Sequence, residues 1–311
     1  MITTVTLNPC IDYSVAVPNI ALGQLNMMDS SRVDIAGKGV NVAVVLARLG
    51  IPACCTGISF DENHAKLVSH LDAFGLTHDF VVAQGSIRTN LKIYDSISGE
   101  MTEINSRGER VSAEVLGLVR EKIVSLAAKS EMVIMSGRIP NGADESIYRE
   151  LMRSLRGLPC KIVIDAERQP LVEALKERPF LIKPNLYELA HSFGKPARSI
   201  PEILSVCGHI ISGGVEIVCV SMGERGALIA NREEAFYAQP PDVKPRGLQG
   251  AGDSMVAGIC KAAAEGHDLS DMLRYGVAAA SASIIREGTK LCREADFEEM
   301  LTKINIERVG L

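Results

Sequence analysis

A short glycine-rich segment with one carboxylate is the part of this sequence best suited to chemistry. It reads Gly250-Ala251-Gly252-Asp253 and leads into an apolar stretch with helical spacing. Glycines let backbone N–H groups converge, and a helix N-terminus adds unpaired donors and a partial positive charge, so a bound phosphate is favoured. A carboxylate at such an anion site suits a base that takes the proton of a hydroxyl attacking phosphorus. The alternative is an ordinary first-turn Asp253 beside glycines that serve helix packing.

A second glycine cluster, Gly37-Lys38-Gly39-Val40-Asn41, follows a strand-like stretch. It is neither a Walker loop nor a dinucleotide fingerprint, because Lys38 precedes Gly39 and the spacing of both motifs fails. Its glycines would let a ligand approach the backbone, and Asn41 offers a donor and an acceptor for a sugar hydroxyl. A glycine-rich turn with a helix-capping Asn is the alternative interpretation.

Polar residues near the N-terminus and around position 90 point to a ligand-facing surface. Asp12 follows the first strand, where a short acid suits a two-oxygen grip on ligand hydroxyls or, equally, a turn. Arg88, Asn90 and Lys92 alternate along one strand-like segment, so their side chains share a face. Cations on that face suit a clamp on phosphate, and solvated surface charge is the alternative.

Further candidates stand where later strands end. Gly137 and Arg138 follow the strand-like EMVIMS, with Arg138 as a second phosphate contact or an exposed loop residue. Asn185 and Glu188 lie three apart at a helix start, where they could hold a hydrated Mg²⁺ or form a capping box. The segment from Ser221 through Gly223 to Gly226 suits a nucleotide phosphate or a simple hairpin turn; Lys183 precedes the Asn185 helix.

Composition narrows the class of protein. The 311 residues are 47% hydrophobic and carry a net charge of −5, which argues against general nucleic-acid or membrane-surface binding. The eight cysteines show no zinc-type spacing, and no apolar stretch reaches the length of a membrane span. We therefore expect a cytoplasmic protein with reduced thiols.

The elements that must position these residues alternate between short apolar strands and helices. This pattern predicts an α/β fold, a doubly wound and mainly parallel sheet covered on both faces. Two stretches, 12–35 and 78–105, read as strands without intervening helices and predict a small accessory sheet. We expect it to act as a lid over the main domain formed by 1–11, 36–77 and 106–311, with its outer apolar face as a candidate homodimer contact.

Taken together, the order of these motifs resembles the ribokinase-like sugar kinases of the phosphofructokinase B family. The resemblance runs from TLNPCID through AGKGVNVA, SGRIP, KPNLYE and SMGERG to GAGDSMVAG, and so covers most of the chain. It implies ATP-dependent phosphorylation of a sugar hydroxyl under a β-sheet lid. The TLNPCID, GKGVNVA and DSMVAG segments are similar to the 1-phosphofructokinase branch, and tagatose-6-phosphate kinases share much of the pattern.

The resemblance also implies roles by position. Asp253 would be the catalytic base, with the anion hole at Gly250, Ala251 and Gly252. The sugar and its phosphate would contact Asp12, Gly37, Lys38, Asn41, Arg88, Asn90, Gly137 and Arg138. ATP would contact Lys183, Asn185, Ser221, Gly223 and Gly226, and Mg²⁺ would be organised by Asn185 and Glu188, through water.

The implied reaction converts a ketohexose phosphate to a bisphosphate, with fructose 1-phosphate as the expected substrate. Tagatose 6-phosphate is the alternative substrate, and a sugar-phosphate-binding regulator without turnover is the alternative of a different class. The chain departs from the family pattern at Ala36, where Gly is usual, at Arg138, where a smaller residue is common, and at 246–249 beside the nucleotide. The last departure is the only support for the regulator.

Overall fold

A computed structural model describes residues 1–194, 197–286 and 290–310. Within these ranges the strands are β1 (Ile2–Thr6), β2 (Cys10–Val17), β3 (Ser30–Ala36), β4 (Ala53–Phe60), β5 (Thr77–Ala83), β6 (Arg88–Asp95), β7 (Met101–Asn105), β8 (Met132–Ser136), β9 (Lys161–Asp165), β10 (Leu181–Ile182), β11 (Ile217–Ser221), β12 (Ala227–Ala230), β13 (Ala235–Ala238) and β14 (Ile306–Val309). The helices are α1 (Lys38–Arg48), α2 (His64–Asp72), α3 (Ala113–Ala127), α4 (Ile147–Ser154), α5 (Arg168–Leu175), α6 (Leu186–Phe193), α7 (Ile200–Ser212), α8 (Ala251–Ala264), α9 (Leu269–Ile284) and α10 (Glu294–Leu301). None of these helices has the length and apolar character needed to cross a membrane.

The strands form two sheets. The larger has the order β14-β13-β12-β11-β10-β9-β8-β1-β4-β5, parallel from β11 to β5 and antiparallel beyond β11. Its central strands β1 and β8 are buried at every residue, because helices cover both faces. This architecture confirms the α/β fold with a mainly parallel sheet.

The smaller sheet, which we call the lid, has the order β3-β2-β6-β7. The β2–β6 pair is parallel and the two outer pairs are antiparallel. The prediction that residues 78–83 belong to this sheet is wrong, because β5 pairs in parallel with β4 and forms the edge of the main sheet. Alternation alone could not separate these cases, since an edge strand and a lid strand are both half-exposed.

The chain reverses direction across the main sheet beside β1. From β1 it moves outward to β4 and β5 on one side, and later to β8, β9 and β10 on the other. The crevice at the carboxyl ends of β1 and β8 is therefore a topological switch point, where ligands bind in open α/β sheets. The lid follows directly from β1, because β2 begins at Cys10.

Candidate active site

The carboxyl ends of the central strands, the lid and the start of α8 enclose a cavity of about 270 Å³. Eleven residues that the sequence predicted for the site line it, namely Asp12, Gly37, Lys38, Asn41, Arg88, Asn90, Gly137, Arg138, Glu188, Gly250 and Asp253. They come from β2, α1, β6, α6, α8 and the loop after β8. The fold therefore brings segments that are distant in sequence to one place.

The N-terminus of α8 is open. Gly250, its N-cap, has φ of 73°, and a Cβ there would lie 2.3 Å from Leu291 Cδ2, so only glycine fits. No side chain in the described part of the chain caps this helix end. The Ala251 N–H makes a long bond of 3.4 Å to the Leu248 carbonyl, and no partner occupies the N–H groups of Gly252 and Asp253 among the described residues. These groups add to the positive end of the helix dipole, which is the geometry that an anion-binding loop requires.

Asp253 lies in the first turn of α8 and is buried. Asn41 Nδ2 donates a hydrogen bond to Asp253 Oδ2 at 2.7 Å. Burial raises the pKa of Asp253 to about 6; the negative charge of Asp165 adds to the rise, while Lys38 and the Asn41 hydrogen bond oppose it. A carboxylate with this pKa is a stronger base than an ordinary Asp and is still ionised at neutral pH. Asn41 thus orients Asp253 as well as lining the cavity.

Asp165, at the end of β9, is a buried carboxylate that the sequence analysis did not single out. Its side chain is fully buried, and it is shared by Lys38 Nζ at 3.3 Å and Lys183 Nζ at 3.5 Å. Burial works against its charge, but the two ammonium groups hold the pKa of Asp165 below its usual range. A charge buried this deeply is stable only because it is paired.

Lys38 and Lys183 both pair with Asp165. Burial alone would lower the pKa of Lys38, but the carboxylates of Asp165, Asp253 and Glu188 raise it well above its usual range. Lys183 Nζ lies 3.4 Å from the point where a Cβ on Gly252 would stand. Lys183 therefore lies close to the open start of α8, and Lys38 carries its charge beside Asp253 in the first turn of that helix.

The lid contributes a hydrogen-bonded chain from β6 to β2. Arg88 Nη1 donates to Asn90 Oδ1 at 2.9 Å, and Asn90 Nδ2 donates to Asp12 Oδ1 at 2.9 Å. Lys92 Nζ donates to Asp12 Oδ2 at 2.6 Å. The predicted shared face of Arg88, Asn90 and Lys92 is confirmed, since all three line the cavity.

At the rim, Arg138 is held by a residue that the sequence analysis missed. Arg138 Nε lies 3.2 Å from Glu167 Oε1, and both side chains line the cavity while remaining partly exposed. Gly137 has φ of 100°, which turns the chain away from β8 so that Arg138 reaches the opening.

The Asn185–Glu188 pair forms a complete capping box on α6. Asn185 Oδ1 accepts from the Glu188 N–H, and Glu188 Oε2 accepts from the Asn185 N–H, both at 2.8 Å. The capping interpretation is thus confirmed. Glu188 also lines the cavity, so its second carboxylate oxygen is the group of this pair left for a hydrated metal ion, and the metal role stays a prediction.

The predicted ATP contacts lie outside the cavity. Ser221 is bridged to Asn185 on the neighbouring strand end, and residues 223–225 form a short 3-10 turn between the antiparallel strands β11 and β12. The hairpin interpretation of this segment is confirmed. Gly223 and Gly226 both have positive φ, at 62° and 85°, and their role toward a nucleotide stays a prediction.

Sequence reasoning missed part of the lining. Besides Glu167 it overlooked Glu103 and Asn105, which reach the cavity from β7, and it also overlooked Asp165 behind Lys38. The signal for Asp165 was available, because it ends the strand KIVID as the other candidates end theirs.

Comparison with known proteins defines the class. Residues 5–296 match the model of the pfkB family carbohydrate kinases. The chain belongs to this family and is thus a phosphotransferase with an alcohol acceptor, which confirms the resemblance drawn from the motifs.

Individual relatives agree along the whole length. The chain is 34% identical to the 1-phosphofructokinase of Borreliella burgdorferi and 30% identical to that of Bacillus subtilis, over 99% of this chain and at least 99% of each relative. Among solved structures, phosphofructokinase-2 from Escherichia coli in complex with potassium is similar with a TM-score of 0.91 and 28% identity, covering 97% of this chain and 98% of that one. The same enzyme with fructose-6-phosphate gives a TM-score of 0.89 at 27% identity and the same coverage.

Proposed function

We propose that this chain transfers the γ-phosphate of ATP to fructose 1-phosphate and forms fructose 1,6-bisphosphate. The observation that carries the proposal is the buried Asp253, which stands at the open N-terminus of α8 and faces the same cavity as Lys38 and Arg88. Base, anion site and cations thus meet around a space that suits a sugar phosphate. The full-length relatives named 1-phosphofructokinase support this substrate.

In the proposed reaction each group has one task. Asp253 accepts the proton of the attacking primary hydroxyl, and the N–H groups at the start of α8 bind the oxygens of the transferring phosphoryl group. Lys38, Arg88 and Arg138 hold the phosphate already on the sugar. The sugar is positioned by Asp12, Gly37, Asn41, Asn90 and Gly137.

The nucleotide and its metal occupy the side of Lys183. ATP would contact Lys183, Asn185, Ser221, Gly223 and Gly226. Mg²⁺ would be held by Glu188 through water, and it would neutralise charge on the ATP phosphates. The donor set fits such an ion: no group of three His, Cys, Asp or Glu side chains in the described residues forms a dedicated metal cage, and Mg²⁺ usually keeps several waters and phosphate ligands.

The first test is ADP release with Mg·ATP against fructose 1-phosphate, fructose 6-phosphate, tagatose 6-phosphate and tagatose 1-phosphate, compared by kcat/KM. We expect fructose 1-phosphate to give the highest value. Asp253→Asn should still bind the sugar phosphate and lose turnover by at least about 10³-fold. A higher kcat/KM for tagatose 6-phosphate would make that sugar the substrate instead. Binding of a sugar phosphate without turnover would favour the sugar-phosphate-binding regulator.

We also propose a cytoplasmic homodimer that buries the outer face of the lid. The register places Val33, Tyr13, Leu91 and Ile104 in one row across the four lid strands, on the face opposite Asp12, and Val33 and Ile104 are 61% and 58% exposed. Exposed apolar faces of this kind mark contact surfaces. Ile104→Asp should shift the protein from dimer to monomer in light scattering; a monomeric wild type would refute the contact. The eight unpaired cysteines suit a reducing compartment.

A further inference from the structure

The inner face of the lid holds a buried cation with no direct task in the proposed reaction. Lys92 is 7% exposed, although lysine is seldom buried unless it is paired. It lies on β6, where the parallel register sets Asn90 opposite Asp12 and Lys92 two residues further along. A buried lysine at this place requires an explanation.

Its contacts are directed at Asp12. Lys92 Nζ and Asp12 Oδ2 are 2.6 Å apart, a short charge-assisted bond, while Asn90 Nδ2 binds the other oxygen, Oδ1, at 2.9 Å. The Asn90 amide is itself fixed, because its Oδ1 accepts from Arg88. The Cys10 thiol also donates to Oδ1, at 3.6 Å, so both oxygens of the Asp12 carboxylate are held by fixed donors and the carboxylate has a defined orientation.

Charge also requires a cation at this position. In the β2–β3 pair Asp12 lies directly opposite Asp34. Like charges on directly opposite residues destabilise a sheet. Asp34 is paired with Arg32 at 2.6 Å, so Lys92 is the cation bound to Asp12. Without Lys92, a buried carboxylate would stand beside a second one with no counter-charge of its own.

We propose that Lys92 is a positioning residue for sugar recognition and acts through Asp12. It fixes the orientation of the carboxylate that meets the sugar hydroxyls and compensates its charge, and it does not clamp the sugar phosphate. The inference rests on the proposed function, in which Asp12 contacts the sugar. It corrects the simpler expectation that every cation on this lid face holds phosphate.

A double-mutant cycle tests it. Lys92→Met, Asp12→Asn and the double variant are compared with wild type for kcat and for KM of fructose 1-phosphate and of Mg·ATP. We expect each single change to raise KM for the sugar phosphate by at least about tenfold and to leave KM for Mg·ATP within about twofold. Since Lys92 acts through Asp12, the double variant should be no worse than Asp12→Asn.

Two results would overturn the proposal. If the two penalties multiply in the double variant, Lys92 contacts the ligand itself. If Lys92→Met leaves KM for the sugar phosphate unchanged, the ion pair has no part in recognition. An inactive wild type would count against the proposed function instead, whereas an active wild type with multiplying penalties counts against Lys92 alone.

Thermal unfolding keeps the test valid if Lys92→Met is unstable. That variant should lose the most stability, and the double variant should recover part of it, because the uncompensated carboxylate is gone. Calorimetric titration of Lys92→Arg with the sugar phosphate gives a second readout: a retained cation should keep affinity within about fivefold of wild type. Lys122→Met, which breaks the exposed pair with Asp79, is the matched control and should change none of these quantities.

Discussion

Asp12 lines the cavity and Asp165 pairs with the cavity residue Lys38, and these two buried carboxylates are held differently. Asp12 in the lid has short bonds of 2.6 and 2.9 Å on its two oxygens. Asp165 at the carboxyl end of β9 has looser partners. Its Oδ1 lies 3.4 Å from Lys38 Nζ and 3.5 Å from Lys183 Nζ, and its Oδ2 has only the ionic contact with Lys38 Nζ at 3.3 Å and no hydrogen bond. Charge-assisted bonds are normally 2.7–2.9 Å. The lid carboxylate is therefore already fixed, whereas the two lysines at Asp165 keep donors free for a phosphate ligand.

Of the substitutions that test this difference, Asp165→Asn should have the largest effect on stability and activity. It keeps the shape of the side chain and removes the charge that holds both lysines, so we expect a loss of about 3 kcal/mol in the free energy of unfolding. Misplacement of both cations should lower kcat/KM on the order of 10²-fold, with KM for sugar phosphate and for Mg·ATP both raised. Lys92→Met, in contrast, should affect the sugar alone.

Asp79→Asn is the matched control for this change, because Asp79 pairs with Lys122 at the surface and should cost less than about 1 kcal/mol. If Asp165→Asn kept wild-type kinetics, the two lysines would be held by something other than Asp165, and the distinction between the two carboxylates would fail.

The pH profile separates the two clusters further. Asp253 must be ionised to accept a proton, and its pKa is raised to about 6, so activity should fall as the pH drops through 6. Asn41→Ala removes a hydrogen bond that lowers the pKa of Asp253 and should move the acid limb of kcat/KM to higher pH. Lys92→Met should leave the limb in place. A limb that stays fixed in Asn41→Ala would exclude Asp253 as its origin.

The same raised pKa predicts a cost in stability. A carboxyl whose folded pKa lies above its unfolded value of 3.8 loses stability as the pH rises from about 4 to about 6. Asp253→Asn should therefore raise the free energy of unfolding at pH 7.5 by up to about 3 kcal/mol and have little effect at pH 4. Thermal melts at the two pH values measure the difference; equal shifts at both would show that the gain does not come from ionisation.

The smallest expected effect is on sugar-phosphate binding at the opening of the cavity. Glu167 pairs with Arg138 and adds negative charge where the sugar phosphate is expected, so Glu167→Gln should lower KM for fructose 1-phosphate by about two- to fivefold at unchanged kcat. Glu299→Gln, at an exposed pair with Lys303, is the control. A raised KM would mean that Glu167 orients Arg138 for binding.

The sequence predicted the central architecture and most of the cavity lining, because strand ends and glycine clusters are local signals. It could not separate β5 from the lid, since pairing partners are set by tertiary contacts. It also overlooked Asp165, whose importance comes from two lysines 127 and 18 residues away in the chain. At Asn185 the sequence left cap and metal open, and the structure supplies the cap without testing the metal.

Gly37 has a mechanical consequence beyond ligand contact. It is the single residue between β3 and α1, with φ of 143° and no room for a Cβ, which would stand 2.9 Å from Thr6 Cγ2. The lid strand β3 and the helix α1 are thus joined by one residue whose backbone has little steric freedom. We expect any tilt of the lid to rotate the start of α1 and displace Lys38. Binding of a ligand under the lid would then change the position of Lys38 beside the main sheet. Hydrogen exchange at the start of α1 should then slow when sugar phosphate binds. Exchange unaffected by the ligand would show that Gly37 does not couple the lid to α1.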